Sequence, residues 1–140
     1  MKKRLLYLIL PIITLILEII PYGAVCNFAL DKGEQLRQTF SYFDLTPFGY
    51  ANFAPFLTAI TTCAALALLL VYLFTDKNPV IKAAKILLCV GVVLSLCPLL
   101  YGFKFFSVVG ALITASLIAE LVLLFITVKA PRKKEFNEGA

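Results

Sequence analysis

Four stretches of this chain are apolar for about twenty residues each, and nearly all of its polar positions lie between or beside them. They run over Leu5–Cys26, Phe53–Phe74, Val80–Tyr101 and Phe105–Val128. Apolar runs of this length are what a helix needs to cross the roughly 30 Å hydrocarbon layer of a bilayer. The pattern predicts an all-α, integral membrane, four-transmembrane-helix bundle, a single domain over residues 1–140.

Polar positions at the edges refine the spans. Lys82 and Lys85 sit in the first turns of the third run, where long amines snorkel to the headgroups. Asn78 before Pro79 predicts the start of that helix, with Asn78 as N-cap. The first run follows Met1-Lys-Lys-Arg and ends in Gly23-Ala-Val-Cys26, both reminiscent of an export signal. Its apolar stretch is longer than a signal core and Glu18 interrupts it, so it is read as a retained helix.

The connections Thr75–Asn78 and Gly102–Lys104 are short, which makes the helices they join antiparallel neighbours. The loop Asn27–Asn52 is longer. In it Asp31-Lys-Gly-Glu34 resembles a capping box, and Leu36, Phe40 and Phe43 follow at helical spacing. A short amphipathic interfacial helix is the expectation there.

Basic residues give the orientation. Lys2, Lys3, Arg4, Lys77, Lys82 and Lys85 share one side with Lys129, Arg132, Lys133 and Lys134 of the tail 129–140. Only Lys32, Arg37 and Lys104 fall on the other. The positive-inside rule then puts both termini in the cytoplasm. The compact layout suggests a bacterial cytoplasmic membrane.

Composition supports a membrane location and narrows the chemistry. Apolar residues make up 61% of the chain and its mean hydropathy is +0.96, against about 45–50% apolar for a soluble domain. Histidine is absent, which removes the commonest general base and metal ligand. There is no P-loop or nucleophile elbow, and Asp31, Glu34 and Asp44 read as solvated charges, so neither catalysis nor a cofactor is expected. The net charge of +5 comes without a basic, aromatic-interleaved surface, so no nucleic-acid partner is expected. Cys26, Cys63, Cys89 and Cys97 form no C-x-x-C pair. A disulfide between Cys26 and Cys97 is left open, because sequence does not supply its geometry.

A proline–aromatic–glycine motif recurs at Pro21-Tyr22-Gly23, at Pro47-Phe48-Gly49-Tyr50 and, more loosely, at Pro98 to Gly102 through Tyr101. Tyr22, Phe48, Tyr50 and Tyr101 form either an interfacial aromatic belt or an outer vestibule for a cation or lipid headgroup. These matches do not amount to a duplicated repeat.

Two acids lie well inside apolar runs, Glu18 and Glu120. Each costs about 2.5–3.5 kcal/mol at mid-helix, offset by a partner, by water or by protonation. Thr14, Glu18 and Tyr22 make one stripe, Ser116, Glu120 and Thr127 another. Pro21 cannot bond the carbonyl of Leu17, which predicts a kink beside Glu18. Interhelical glue and a proton or ion site are both open readings. Ala111, Ala115 and Ala119, Gly91 and Ser95, and Thr58 and Thr62 mark faces for close helix packing.

Four helices with a glutamate in the first resemble the outline of the small multidrug-resistance exporters. That resemblance implies a proton- and drug-binding role for Glu18. The 26-residue loop and the absence of tryptophan depart from the pattern. The layout of inside termini, a longer first outer loop and short later links is similar to claudin-like tetraspans, again without their tryptophan signature. No family is assigned. The expectation is a small, non-catalytic, multi-pass membrane protein with an accessory, interaction or assembly role. Its partners are the lipid bilayer and a second copy or another membrane protein. The alternative is a small oligomeric proton-coupled transporter or channel using Glu18, and with it Glu120.

Overall fold

The computed structural model describes residues 2–50 and 53–128, with side chains over 5–47 and 53–128. In order the elements are α1 (Lys2–Ile19), β1 (Ala24–Ala29), β2 (Gln35–Phe40), α2 (Leu45–Tyr50), α3 (Ala54–Thr75), α4 (Asn78–Leu100), a 3-10 turn (Phe103–Phe105) and α5 (Val108–Thr127). Three helices, α3, α4 and α5, are long and apolar enough to cross a membrane, and α1 is a shorter apolar helix beside them. α1 packs on α3 and α5, and α4 packs on the same two, so the four close into a ring.

These helices are apolar outside as well as inside, unlike those of a soluble protein, which turn apolar stripes inward and polar faces out. Here Ile60, Val71, Val93, Ile118, Val122 and Ile126 are exposed, while Thr58, Thr62, Ser95, Thr114 and Glu120 are buried. An apolar exterior around a polar seam is stable where the surrounding solvent is hydrocarbon. Small residues allow close approach between α3 and α4: a Cβ on Gly91 would sit 3.1 Å from Thr61 Oγ1. At the end away from the hairpin, Lys85 Nζ donates to the Val128 carbonyl at 3.2 Å and lies 4.6 Å from the Phe125 ring centre. That lysine satisfies a terminal carbonyl of α5 while its stem stays among apolar neighbours.

Helix starts follow local chemistry. Pro55 and Pro79 open α3 and α4, where a missing N–H costs nothing. Asn78 is the first helical residue of α4 and not its N-cap, which is Lys77 in extended conformation with no side-chain cap. Ser107 does cap α5, accepting from Gly110 N at 2.9 Å.

The first span and its loop depart from expectation. α1 stops at Ile19, ahead of Pro21, so the proline ends the helix where a kink was expected. Residues 24–26 belong to a strand and not to a span. The segment 31–43, expected as an interfacial helix, instead supplies the turn and second strand of an antiparallel hairpin over residues 31–40, and a separate turn after it. The fold is mostly helical and compatible with an all-α membrane bundle, and among the described residues a two-stranded sheet replaces the expected loop helix. The reason is local: Lys32 and Gly33 both take positive φ (95° and 79°), and Leu30 N donates to Glu34 O at 2.8 Å across the turn. Leu36 and Phe40, at i and i+4, are also two steps of strand alternation, and they face Phe28 and Ala24 across the ladder. The Phe28 and Phe40 rings meet edge to face at 6.5 Å. A short helix does occur in this loop, at α2, past the segment expected to hold it.

The hairpin is seated on the bundle at its base. Ala24, Val25 and Cys26 are buried, while β2 is exposed over its first four residues. Tyr42 N donates to the carbonyl of Glu18 at 2.9 Å, and Ser107 Oγ donates to the carbonyl of Gly23 at 2.6 Å. Tyr42 is buried against Gly23, where an added Cβ would come within 2.9 Å of its ring.

Candidate functional site

The polar positions of α1 and α5 meet along one seam. Thr14 Oγ1 and Ser116 Oγ lie 2.8 Å apart. With the Ser107–Gly23 contact this fixes an antiparallel register, in which each step along α1 is a step back along α5. Glu18 is one turn from the Thr14–Ser116 contact towards the hairpin, and Glu120 is one turn from it in the other direction. Their Cα levels differ by about eight residues, roughly 12 Å.

Both acids are sealed from the surroundings, at 0% exposure for Glu18 and 1% for Glu120. Thr62 Oγ1, on α3, donates to Glu18 Oε1 at 2.8 Å. Glu18 Oε2 and both carboxyl oxygens of Glu120 have no hydrogen-bond partner. An unpaired buried polar group costs about 1–3 kcal/mol, so leaving three such oxygens is expensive. Interhelical glue accounts for Glu18 Oε1 and for nothing at Glu120. A second hydroxyl contact, Thr114 Oγ1 to Ser95 Oγ at 3.0 Å, joins α5 to α4.

The other expected site residues fall elsewhere. Tyr22 is 61% exposed in the turn after α1, so the stripe from Thr14 ends at Glu18. Thr127 is exposed at the end of α5. Of the aromatic group, Tyr101 is exposed and pairs edge-on with Phe105 at 6.4 Å, while the side chains of Phe48 and Tyr50 lie outside the described residues. Cys26 and Cys97 are both free, one buried in β1 and the other partly buried in α4.

Thr62 was expected only as a packing position and instead bonds Glu18, and Tyr42 and Ser107 were not legible in advance. Burial, and then the Glu18 carboxyl, push the Tyr42 phenol above its ordinary value. Burial, and then the Asp44 carboxylate, push the Cys26 thiol up as well. One signal for the seam itself did exist in the sequence. Thr14-Leu-Ile-Leu-Glu18-Ile19 and Ser116-Leu-Ile-Ala-Glu120-Leu121 share the pattern S/T-L-I-x-E-I/L. On antiparallel helices the two copies are related by an approximate two-fold axis through the Thr14–Ser116 contact.

No protein-family model, no curated protein and no solved structure matches the chain.

Proposed function

We propose that this chain is a multi-pass protein of the cell membrane that binds and passes protons at the Glu18–Glu120 seam, as a small proton-coupled transporter or channel. The observation that carries this reading is the sealed pair of carboxyls with three unpartnered oxygens. Ionisable groups are kept at such a cost where they take part in proton or ion movement. α1 counts as the fourth span in this reading. Its 18 residues reach about 27 Å, and the buried base of the hairpin covers the remainder. The surplus of basic residues towards the end away from the hairpin favours cytoplasmic termini. The chemistry proposed is movement of a proton and not catalysis.

A second reading, an accessory protein that assembles with itself or with another membrane protein, is favoured by the hairpin. It holds an exposed strand on a buried base. Reconstitution in liposomes separates the two. Proton flux under an imposed potential, and its exchange against organic cations, is measured for the wild type, Glu18→Gln and Glu120→Gln. The transporter reading expects flux that either substitution abolishes. Absence of wild-type flux, or flux indifferent to both substitutions, rejects it and leaves the accessory role.

A further inference from the structure

We propose that the Thr14–Ser116 hydroxyl pair is the relay through which a proton passes between Glu18 and Glu120. This rests on the proton-carrying function above and adds the path.

The hydrogen-bond inventory of the pair is the first support. Thr14 Oγ1 lies 3.0 Å from the Leu10 carbonyl, Ser116 Oγ lies 2.9 Å from the Ile113 carbonyl, and the two hydroxyls lie 2.8 Å apart. That makes three contacts for two hydroxyl protons. In one arrangement Thr14 donates to Ser116, which donates to Ile113. In the other Ser116 donates to Thr14, which donates to Leu10. Both satisfy the same number of bonds, so the direction of the chain reverses by rotating two O–H groups. The near-repeat on the two helices makes the surroundings of the two arrangements alike. Reversibility of this kind is what a relay needs and what a structural bond does not.

The second support is placement. Glu18 is four residues beyond Thr14 and Glu120 four beyond Ser116, so each acid shares a helix face with its hydroxyl. Cα–Cβ bonds tilt towards a helix's own N-terminus, and on antiparallel helices this turns both acids towards the hydroxyls between them. Neither acid is hydrogen-bonded to its hydroxyl in this structure, and each keeps an unpartnered oxygen, so each transfer begins with a side-chain rotation that brings that oxygen onto the hydroxyl. The step balances without an outside reactant. Glu18 as the acid gives its proton to Thr14 Oγ1, Thr14 passes its own to Ser116 Oγ, and Ser116 passes its own to the Glu120 carboxylate. Glu18 is left as carboxylate, Glu120 as acid, and the hydroxyls rotate back. Other titratable groups facing this interior are Tyr42, beside Glu18 at the hairpin base, and Tyr72 on α3 in the buried core, while Cys63 on α3 is exposed. α4 contributes the Ser95 hydroxyl, with Lys85 at the far end of the bundle.

The test uses the full chain in liposomes, with proton flux and the infrared carboxyl bands recorded together. Thr14→Val and Ser116→Ala are two independent cuts in the path, and Thr14→Ser restores a hydroxyl. The relay predicts that each cut lowers flux by about a hundredfold or more, with both carboxyl bands still titrating, and that Thr14→Ser conducts. Wild-type flux in either cut variant overturns the relay. If Glu18→Gln still abolishes flux in that case, the proton-carrying function stands without it. Wild-type flux in Glu18→Gln and Glu120→Gln overturns both.

Discussion

The two sides of the helical ring are built on opposite principles. Where α3 meets α4, Gly91 lets the helices close on Thr61, and apolar side chains such as Leu69 and Leu88 fill the interior. Where α1 meets α5, hydroxyls and carboxyls occupy the contact, and three carboxyl oxygens go unpaired. Among the described residues, no buried side-chain oxygen or nitrogen of the first interface lacks a hydrogen bond. The second sacrifices stability, and the proposed proton site rests on that cost, because proteins keep strained or unsatisfied groups mainly at working sites.

Opposite signs of stability change are the sharpest way to test this contrast. Leu88→Ala empties a fully buried site and should lower stability by about 2–5 kcal/mol. Glu120→Leu removes two unsatisfied oxygens at similar volume and should raise it by about 1–3 kcal/mol, while proton flux is lost. Thermal midpoints in one detergent read both. A Glu120→Leu protein less stable than wild type would mean that the carboxyl holds the seam together, and the contrast would fail.

A smaller effect is expected at the hairpin seat. Ser107→Ala removes the cap of α5 and the bond to Gly23 together, and should cost about 1 kcal/mol. Faster amide exchange at residues 23–26 would show that the loss falls on the hairpin and not on the seam.

The smallest effect is set by pH. Asp44 accepts from Thr46 N at 2.8 Å, and this bond holds its carboxyl below its ordinary range. A depressed value in the folded state means that the contribution is present at neutral pH and is lost as pH falls through the folded value, below about pH 4. Asp44→Asn should therefore differ slightly from wild type at neutral pH and converge with it in acid. A difference that persists at acid pH would show that the contribution does not come from the charge.

The long apolar helices were legible because the signal was length and composition. Phe53–Phe74 became Ala54–Thr75, and Phe105–Val128 became Val108–Thr127. The hairpin was not, because Leu36 and Phe40 satisfy both the helical and the strand period, and the positive φ values of Lys32 and Gly33 leave no mark that a capping box does not also carry. Glu18 and Glu120 stood out as acids in apolar runs. That they flank one hydroxyl contact depends on the register of two helices more than a hundred residues apart in sequence, which no local pattern encodes. The near-repeat around the two acids was present in the letters, and only the antiparallel packing gave it meaning.

Glu18 is bonded in two directions at once: its side chain accepts from Thr62 in the interior and its carbonyl accepts from the amide of Tyr42 at the hairpin base. The same residue thus belongs to the buried seam and to the anchorage of the hairpin. A rotation of α1 that re-aims the carboxyl also moves the carbonyl that Tyr42 holds. On the proposed proton-carrying function, protonation of Glu18 and the seating of the hairpin would be linked through this one residue, and by reciprocity each would bias the other.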